Sequence, residues 1–283
     1  MGYIDIRDRV MRSAVPEVAS ERETIVFFHA HPDDEAIFSG GTIARLAGAG
    51  HRVVVVMATS GGQGRSIAAT IDDATAPPAC LPEERERELA EACALLGVAR
   101  VVLFRYEDSG IELPRDTPGQ TFSEIDIDRV AQRLADVIIE EAATALVVYD
   151  EGGIYGHLDH LHVHRAGVAA ARLTSIPTLY EMTVDREYLH FVDTHLIDHA
   201  RESLPHVEHI GVPTVYVSTT VDVRMVLPQK RAAIAAHASQ VQSSSSVMRL
   251  SDSSFREVYG YEWFVRHGPR GVIETLTDQL TRA

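Results

Sequence analysis

Apolar residues in this chain gather into four short unbroken runs, and the stretches between them carry a helical period. The runs lie within residues 24–28 (TIVFF), 51–59 (HRVVVVMAT), 98–106 (VARVVLFRY) and 144–149 (TALVVY), the pattern of strands buried on both faces of a parallel sheet. Residues 37–50 place Ile37, Ile43, Leu46 and Ala47 on one helical face and end on Gly48 and Gly50. Gly40 and Gly41 in that helix are costly unless a neighbour approaches closely. Residues 82–97 open on Pro82 and acids, mark Leu89, Cys93 and Leu96, and stop at Gly97. Residues 123–142 are amphipathic through Ile125, Ile127, Val130, Leu134, Val137 and Ile138. Strands alternating with helices predict an α/β fold, a Rossmann-like, doubly wound, mostly parallel sheet with helices on both faces and the first strand central.

Beyond residue 165 the pattern weakens into a small C-terminal elaboration. Residues 178–184 and 214–223 read as strands, the second alternating as an antiparallel edge does, and 226–240 as a helix before the serine run 243–246. Residues 185–212 have no firm period and suit a small cap, with Tyr180, Glu181 and His199 as ordinary surface. The aromatic cluster 259–264 (YGYEWF) reads as core packing. Residues 1–23 are expected to be an N-terminal extension of a single domain, 24–283.

Composition narrows the chemistry. The 41 acidic residues against 26 basic give a formal net charge of −15, which argues against binding a phosphate backbone and leaves no nucleic-acid partner expected. Cys80 and Cys93 make neither a disulfide framework nor a zinc-finger spacing, as expected of a reducing, cytoplasmic protein, and neither receives a role. No apolar stretch reaches 18 residues, so no membrane partner is expected.

Two clusters carry the chemistry. The first run breaks into His31-Pro32-Asp33-Asp34-Glu35, at the strand end where α/β sheets bind ligands. Glu35 reads as a capping and dipole partner of the helix that starts there. His31, Asp33 and Asp34 together repel one another unless a cation sits among them. The second cluster, 150–164 (DEGGIYGHLDHLHVH), follows the fourth run with His157, His160, His162 and His164. A helix beginning near Asp159 puts His160 and His164 on one face and turns His162 to the surface. His157 and His160 flank Asp159, a spacing that lets one imidazole bind the cation while the carboxylate orients the other. Together the clusters offer two histidines and a carboxylate to one cation. Asp108, in Glu107-Asp108-Ser109-Gly110 after the third strand, opens on the same edge as either a turn aspartate or a substrate contact. The glycine-rich 60–64 (SGGQG) is not a phosphate loop, because neither Gly-Lys-Ser/Thr nor G-x-G-x-x-G is present.

The motif Ala30 to Glu35 and the set Tyr155, Gly156, His157, Asp159 and His160 resemble those of the PIG-L/LmbE-like metal-dependent N-deacetylases. Gly40 to Thr42, Asp108 to Gly110, and His237 and Gln240 extend the likeness. The resemblance implies His31, Asp34 and His160 as metal ligands, Asp33 as general base, and His157 as oxyanion stabiliser or amine acid with Asp159 holding its ring. Tyr155 and Asp108 become substrate-binding candidates. It further implies hydrolysis of a small-molecule N-acyl amide, foremost an N-acetyl amino sugar or its conjugate. Leu158 stands where the family usually has proline, a departure that leaves the chemistry intact; Gln63 stands where an acid is common, so contacts to a substrate hydroxyl or amine known for sugar deacetylases do not carry over directly. Zn2+ suits this ligand set, with Fe2+ second; two histidines and a carboxylate also serve non-haem iron oxygenases, but those usually stand on a β-barrel. The other activities weighed are an amidase on a thiol conjugate or antibiotic intermediate and a non-catalytic metal-dependent sugar-binding protein.

Overall fold

The computed structural model describes residues 22–62, 82–110, 120–192, 210–241 and 246–278. The four apolar runs become β1 (Thr24–His29), β2 (Arg52–Thr59), β3 (Arg100–Tyr106) and β4 (Ala145–Tyr149), followed by β5 (Thr178–Thr183), β6 (Thr219–Asp222) and β7 (Tyr261–His267). Helices α1 (Asp34–Phe38), α2 (Gly40–Gly48), α3 (Pro82–Leu96), α4 (Ile127–Glu140), α5 (Gly153–Gly156) and α6 (Leu158–Thr174) fill the first half. In the second half come α7 (Arg186–Phe191), α8 (Leu227–Ala236), α9 (Ser246–Arg249), α10 (Asp252–Tyr259) and α11 (Val272–Asp278).

The strands form one sheet in the order β3-β2-β1-β4-β5-β7-β6. Strands β1 to β5 are parallel, and β7 runs antiparallel to both β5 and β6. Chain order reverses between β1 and β4, so their carboxyl ends flank the crevice where such sheets bind ligands. The core lies along these strands: Ile25 to Phe28, Val53 to Ala58 and Leu146 to Tyr149 are fully buried, as unbroken apolar runs require. Strand β3, at the edge, is only half buried and carries Arg100, which donates to Glu140 and Glu141. Helices α4 and α6 pack together over one face, and α2, α3 and α8 over the other.

Several elements depart from the sequence reading. The helix expected from residue 37 is interrupted at Ser39, where α1 ends and α2 begins. Gly41 is needed because Val223 presses against it: a Cβ there would lie 2.4 Å from the Cβ of Val223. Residues 261–267 are strand β7 rather than unspecified core, since Trp263 and Phe264 pack inward while the backbone pairs on both sides. Of 214–223 only Thr219–Asp222 is strand, the antiparallel edge; Thr214–Tyr216 is a 3-10 turn. Residues 1–21, 63–81, 193–209 and 242–245 lie outside the described residues. The N-terminal extension, Gln63, Cys80, His199 and the serine run therefore fall there, apart from residues 22, 23 and 246.

Candidate active site

Strand β1 ends at His29 and the chain turns sharply into α1, with the amide of Asp34 donating to the carbonyl of His31 at 3.2 Å. The turn bends Asp34 back under His31. One oxygen of Asp34, Oδ2, accepts from the backbone amide of His31 at 2.9 Å and from the hydroxyl of Tyr149 at 2.6 Å. Tyr149 closes β4, so it links the two strands at the crevice, and its ring stacks flat on His160 at 3.9 Å between centroids. His160 stands in the first turn of α6, completely buried. Its Nδ1 faces the carbonyl of Gly153 at 3.2 Å, which fixes the proton there and leaves Nε2 with a free lone pair. Gly153, at φ 61°, permits this approach, because a Cβ would lie 2.9 Å from that of His160.

Two imidazole nitrogens face one carboxylate oxygen. Asp34 Oδ2 lies 3.4 Å from His31 Nδ1 and 3.4 Å from His160 Nε2. His160 Nε2 is buried without a hydrogen-bond partner among the described residues, an expensive arrangement unless an electrophile occupies that direction. Two nitrogens and a carboxylate oxygen around an orphaned lone pair fit a divalent cation. Donor atoms of His31, His157 and His160 lie within 4.8 Å of one another, as do those of His31, Asp108 and Asp159. The latter set is a poorer cradle, because His31 Nε2 is already hydrogen-bonded to Asp159 Oδ2 at 3.1 Å, with Asp108 Oδ1 at 3.5 Å. That bond leaves Nδ1 as the ligating nitrogen, the usual carboxylate–histidine–metal relay.

Electrostatics tell the same story. Burial opposes a proton on His31, yet hydrogen bonds with Asp108, Asp159 and Asp34 lift its pKa well above the usual histidine range. Burial would raise Asp34, but His160 and His31 hold it well below the carboxylate range. The pocket is built to stabilise positive charge. Asp33 behaves oppositely: burial and then the charge of Asp34 push its pKa up to about 6, near the value useful to a base at neutral pH. Its side chain is 22% exposed and Arg85 Nη2 lies 3.5 Å from Oδ2.

His157 is the N-cap of α6, and its Nδ1 accepts from the amide of Asp159 at 3.1 Å. Burial, then His31 and His160, push its pKa down to about 4. The expectation that the Asp159 carboxylate holds His157 is corrected here: that carboxylate serves His31 and the amide of Ser109, and only the backbone of Asp159 meets His157. The reason is position. The Asp159 side chain reaches His31 after β1 and Ser109 after β3, while the N-cap ring of His157 meets the backbone of the helix start. Protonation of His157 beforehand is also disfavoured. Tyr155 stands half-exposed at the mouth with its ring 4.9 Å from that of His160. Asp108 fulfils its turn reading by accepting from the amide of Gly110 at 2.8 Å, and it also faces His31.

His162 is not on the surface: it is buried, edge-on to Phe122 at 4.8 Å, because the 3-10 turn Phe122–Glu124 covers that side of α6. His164 leaves the site for the carbonyl of Tyr149 at 3.0 Å. Glu35 does cap, accepting from the amide of Asp33 at 3.0 Å, but its other oxygen meets His237 Nε2 at 2.7 Å. His237 thus points toward the site's support rather than merely ending α8. Cys93 is core, its thiol pushed up by burial. Tyr149 and Arg85 went unnoticed in the sequence; a tyrosine closing the strand beside the second cluster was the available signal.

The chain matches the family model for PIG-L, GlcNAc-PI de-N-acetylase, over residues 26–171. It is 35% identical over 271 residues to 1D-myo-inositol 2-acetamido-2-deoxy-alpha-D-glucopyranoside deacetylase of Thermomonospora curvata, covering 87% of this chain and 91% of that protein. Among solved structures, N,N'-diacetylchitobiose deacetylase from Pyrococcus horikoshii superposes with a TM-score of 0.55 at 20% identity, covering 94% of this chain and 95% of that one. The 4-carboxy-2-hydroxymuconate hydratase of Pseudomonas putida shares the fold as well, at a TM-score of 0.54 and 17% identity over 88% of this chain and 99% of that one. Fold alone therefore does not choose the reaction. Sequence, sheet order and the paired clusters agree that this chain belongs to the PIG-L family of de-N-acetylases.

Proposed function

We propose that the protein is a zinc-dependent N-deacetylase acting on an N-acetylglucosaminyl conjugate, with the inositol glycoside named for its relatives as the first substrate to test. The observation that carries this reading is that His31 Nδ1 and the orphaned His160 Nε2 face Asp34 Oδ2 beside the raised carboxyl of Asp33. His31, Asp34 and His160 would hold a divalent cation, which would supply Lewis acidity toward an amide carbonyl and a water. Fe2+ suits the same donors second.

The residues around it divide the proton work. Asp33 takes a proton from the attacking water, and a pKa of about 6 lets it hold that proton for the leaving amine. His157 accepts the amide of Asp159 on Nδ1, so its neutral ring carries hydrogen on Nε2 and donates to the developing oxyanion. Asp159 keeps the proton of His31 on Nε2 and so frees Nδ1. Tyr155, half-exposed, is the candidate second donor, and Asp108 the candidate substrate contact. Among the described residues no helix is long and apolar enough to cross a membrane. A cytoplasmic site of action and a small-molecule partner complete the proposal.

The test is metal content after anaerobic purification, together with acetate release from the inositol glycoside, free N-acetylglucosamine and an N-acetylated thiol conjugate. Stoichiometric metal with chelator-sensitive acetate release from the glycoside is expected. Metal without acetate from any of the three refutes the substrate class, and a protein that binds no divalent metal refutes the mechanism.

A further inference from the structure

Asp33 has a backbone conformation that an L-residue with a side chain rarely adopts, φ 124° and ψ −31°. Such a residue costs of the order of 1–3 kcal/mol and persists only where its surroundings over-determine it. Its peptide link to Pro32 is gripped at both poles. The Pro32 carbonyl accepts from Nη2 of Arg85, and the Asp33 amide donates to Oε2 of Glu35 at 3.0 Å. Because these groups belong to one rigid plane, holding both fixes the orientation of that plane against the start of α1, which follows Asp33.

Each grip is itself anchored. Glu35 is fully buried and its second oxygen is held by His237 Nε2 at 2.7 Å, on a ring that is also fully buried. Arg85, 2% exposed, spends its other amino group on the carbonyl of Gly61 at 2.5 Å. Gly61 has φ +65°, and a Cβ there would collide with the guanidinium. The two anchoring elements are tied to each other, since Glu88 of α3 accepts from the amide and hydroxyl of Ser239, just beyond α8, at 2.8 and 2.6 Å. Side chains from α1 and α3 thus hold one peptide bond, and His237, at the end of α8, holds the first of them.

We propose that Arg85, Glu35 and His237 are positioning residues that clamp the Pro32–Asp33 peptide and aim the Asp33 carboxylate at the site. The inference rests on the reading of Asp33 as the base. Glu35 and His237 touch no reacting atom and act through the orientation of Asp33; Arg85 acts in the same way through the Pro32 carbonyl, and its Nη2 also lies 3.5 Å from Asp33 Oδ2. Misplacing a catalytic group by about 1 Å costs ~100-fold in rate. Loosening the clamp therefore lowers kcat and spares both KM and metal affinity.

The experiment compares H237L and H237Q, with R85K as an independent second point, by kcat, KM and metal affinity from chelator competition. H237Q keeps a donor toward Glu35, whereas H237L removes it from a buried carboxylate. The expected result is a fall in kcat of about 10–100-fold in H237L with KM and metal affinity within about threefold of wild type, largely restored in H237Q. R85K, which retains one donor for the Pro32 carbonyl, is expected to fall between them. A crystal structure of H237L with Asp33 rotated to negative φ would complete the case. Unchanged kcat in H237L, or metal affinity lost in step with kcat, overturns the clamp, and if H237L does not fold the same criteria apply to R85K. D33N separates the underlying reading: turnover retained in D33N means that Asp33 is not the base, whatever the clamp variants do.

Discussion

Asp33 and Asp34 are adjacent and chemically identical, yet their surroundings give them opposite characters. Asp34 accepts from a hydroxyl and an amide and faces two imidazole nitrogens at 3.4 Å, and its pKa is held well below the carboxylate range. Asp33 shares its neighbour's repulsion and holds its proton up to about pH 6. Two substitutions, one at the base and one in the cradle that holds Asp34, should expose the difference. D33N is expected to keep its metal, because it removes no donor from the cradle, and to lose turnover by at least ~100-fold. H160A is expected to lose both, since it deletes the orphaned Nε2. Metal analysis beside acetate release reads the two variants; equal metal loss would make Asp33 a ligand. Much of this site was legible in the sequence because metal chemistry demands rare residue types crowded at a strand end. His31, Asp34 and His160 announce themselves in that way. What was not legible depends on distance in sequence: the pairing of Glu35 with His237 spans 202 positions, and that of Arg85 with Pro32 spans 53. The role of Asp159 was hidden for a different reason, since spacing shows which residues share a turn but not which way a first-turn side chain faces.

At the level of elements, strands β1 to β4 were readable because burial on both faces erases alternation and leaves continuous apolar runs. The C-terminal part was harder. Strand β7 carries Glu262 and Arg266 among its aromatic residues, so its pattern matches neither a buried run nor a clean alternation. Its pairing is secured instead by polar hubs. Glu274, at 5% exposure in α11, accepts from Tyr180 at 2.6 Å, Thr219 at 2.8 Å, Arg266 at 2.8 Å and the amide of Gly271 at 3.0 Å. One carboxylate therefore joins α11 to β5, β6 and β7. Burial would raise its pKa, but the hydrogen bonds from Tyr180, Thr219, Gly271 and Arg266 prevail and lower it from 4.5. A carboxylate depressed in the folded state contributes stability that is present above its unfolded pKa and disappears as pH falls through the folded value. E274Q replaces two accepting oxygens with one and aims an amide at donors, so it is expected to cost about 1–3 kcal/mol at pH 7. Urea unfolding measured at pH 7 and again below pH 4.5 should show the gap between wild type and E274Q closing in acid. A gap that stays constant would mean that Glu274 matters for shape rather than charge.

The whole molecule joins a stable sheet to a site whose charges suit it only when a cation is bound. Asp34, Asp108 and Asp159 crowd around His31, and the chain as a whole carries a formal charge of −15. Without a metal, the raised pKa of His31 favours a second proton, on Nδ1, beside those carboxylates. Binding a cation at Nδ1 must displace that proton or compete with it, so metal affinity should weaken as pH falls. Metal should also stabilise the fold, because the three donors come from the loop after β1 and the start of α6, which the unfolded chain does not bring together. At free metal about a thousandfold above its Kd, linkage gives about 4 kcal/mol, and for a chain of this size that corresponds to a rise of roughly 8 °C in Tm. Scanning calorimetry of chelated and zinc-loaded protein at pH 7.5 and at pH 5.5 tests both claims. The metal-dependent shift should be present at the higher pH and reduced at the lower, and it should vanish at both in H160A. A shift of equal size in H160A would place the stabilising metal elsewhere on this acidic surface and detach it from the crevice between β1 and β4.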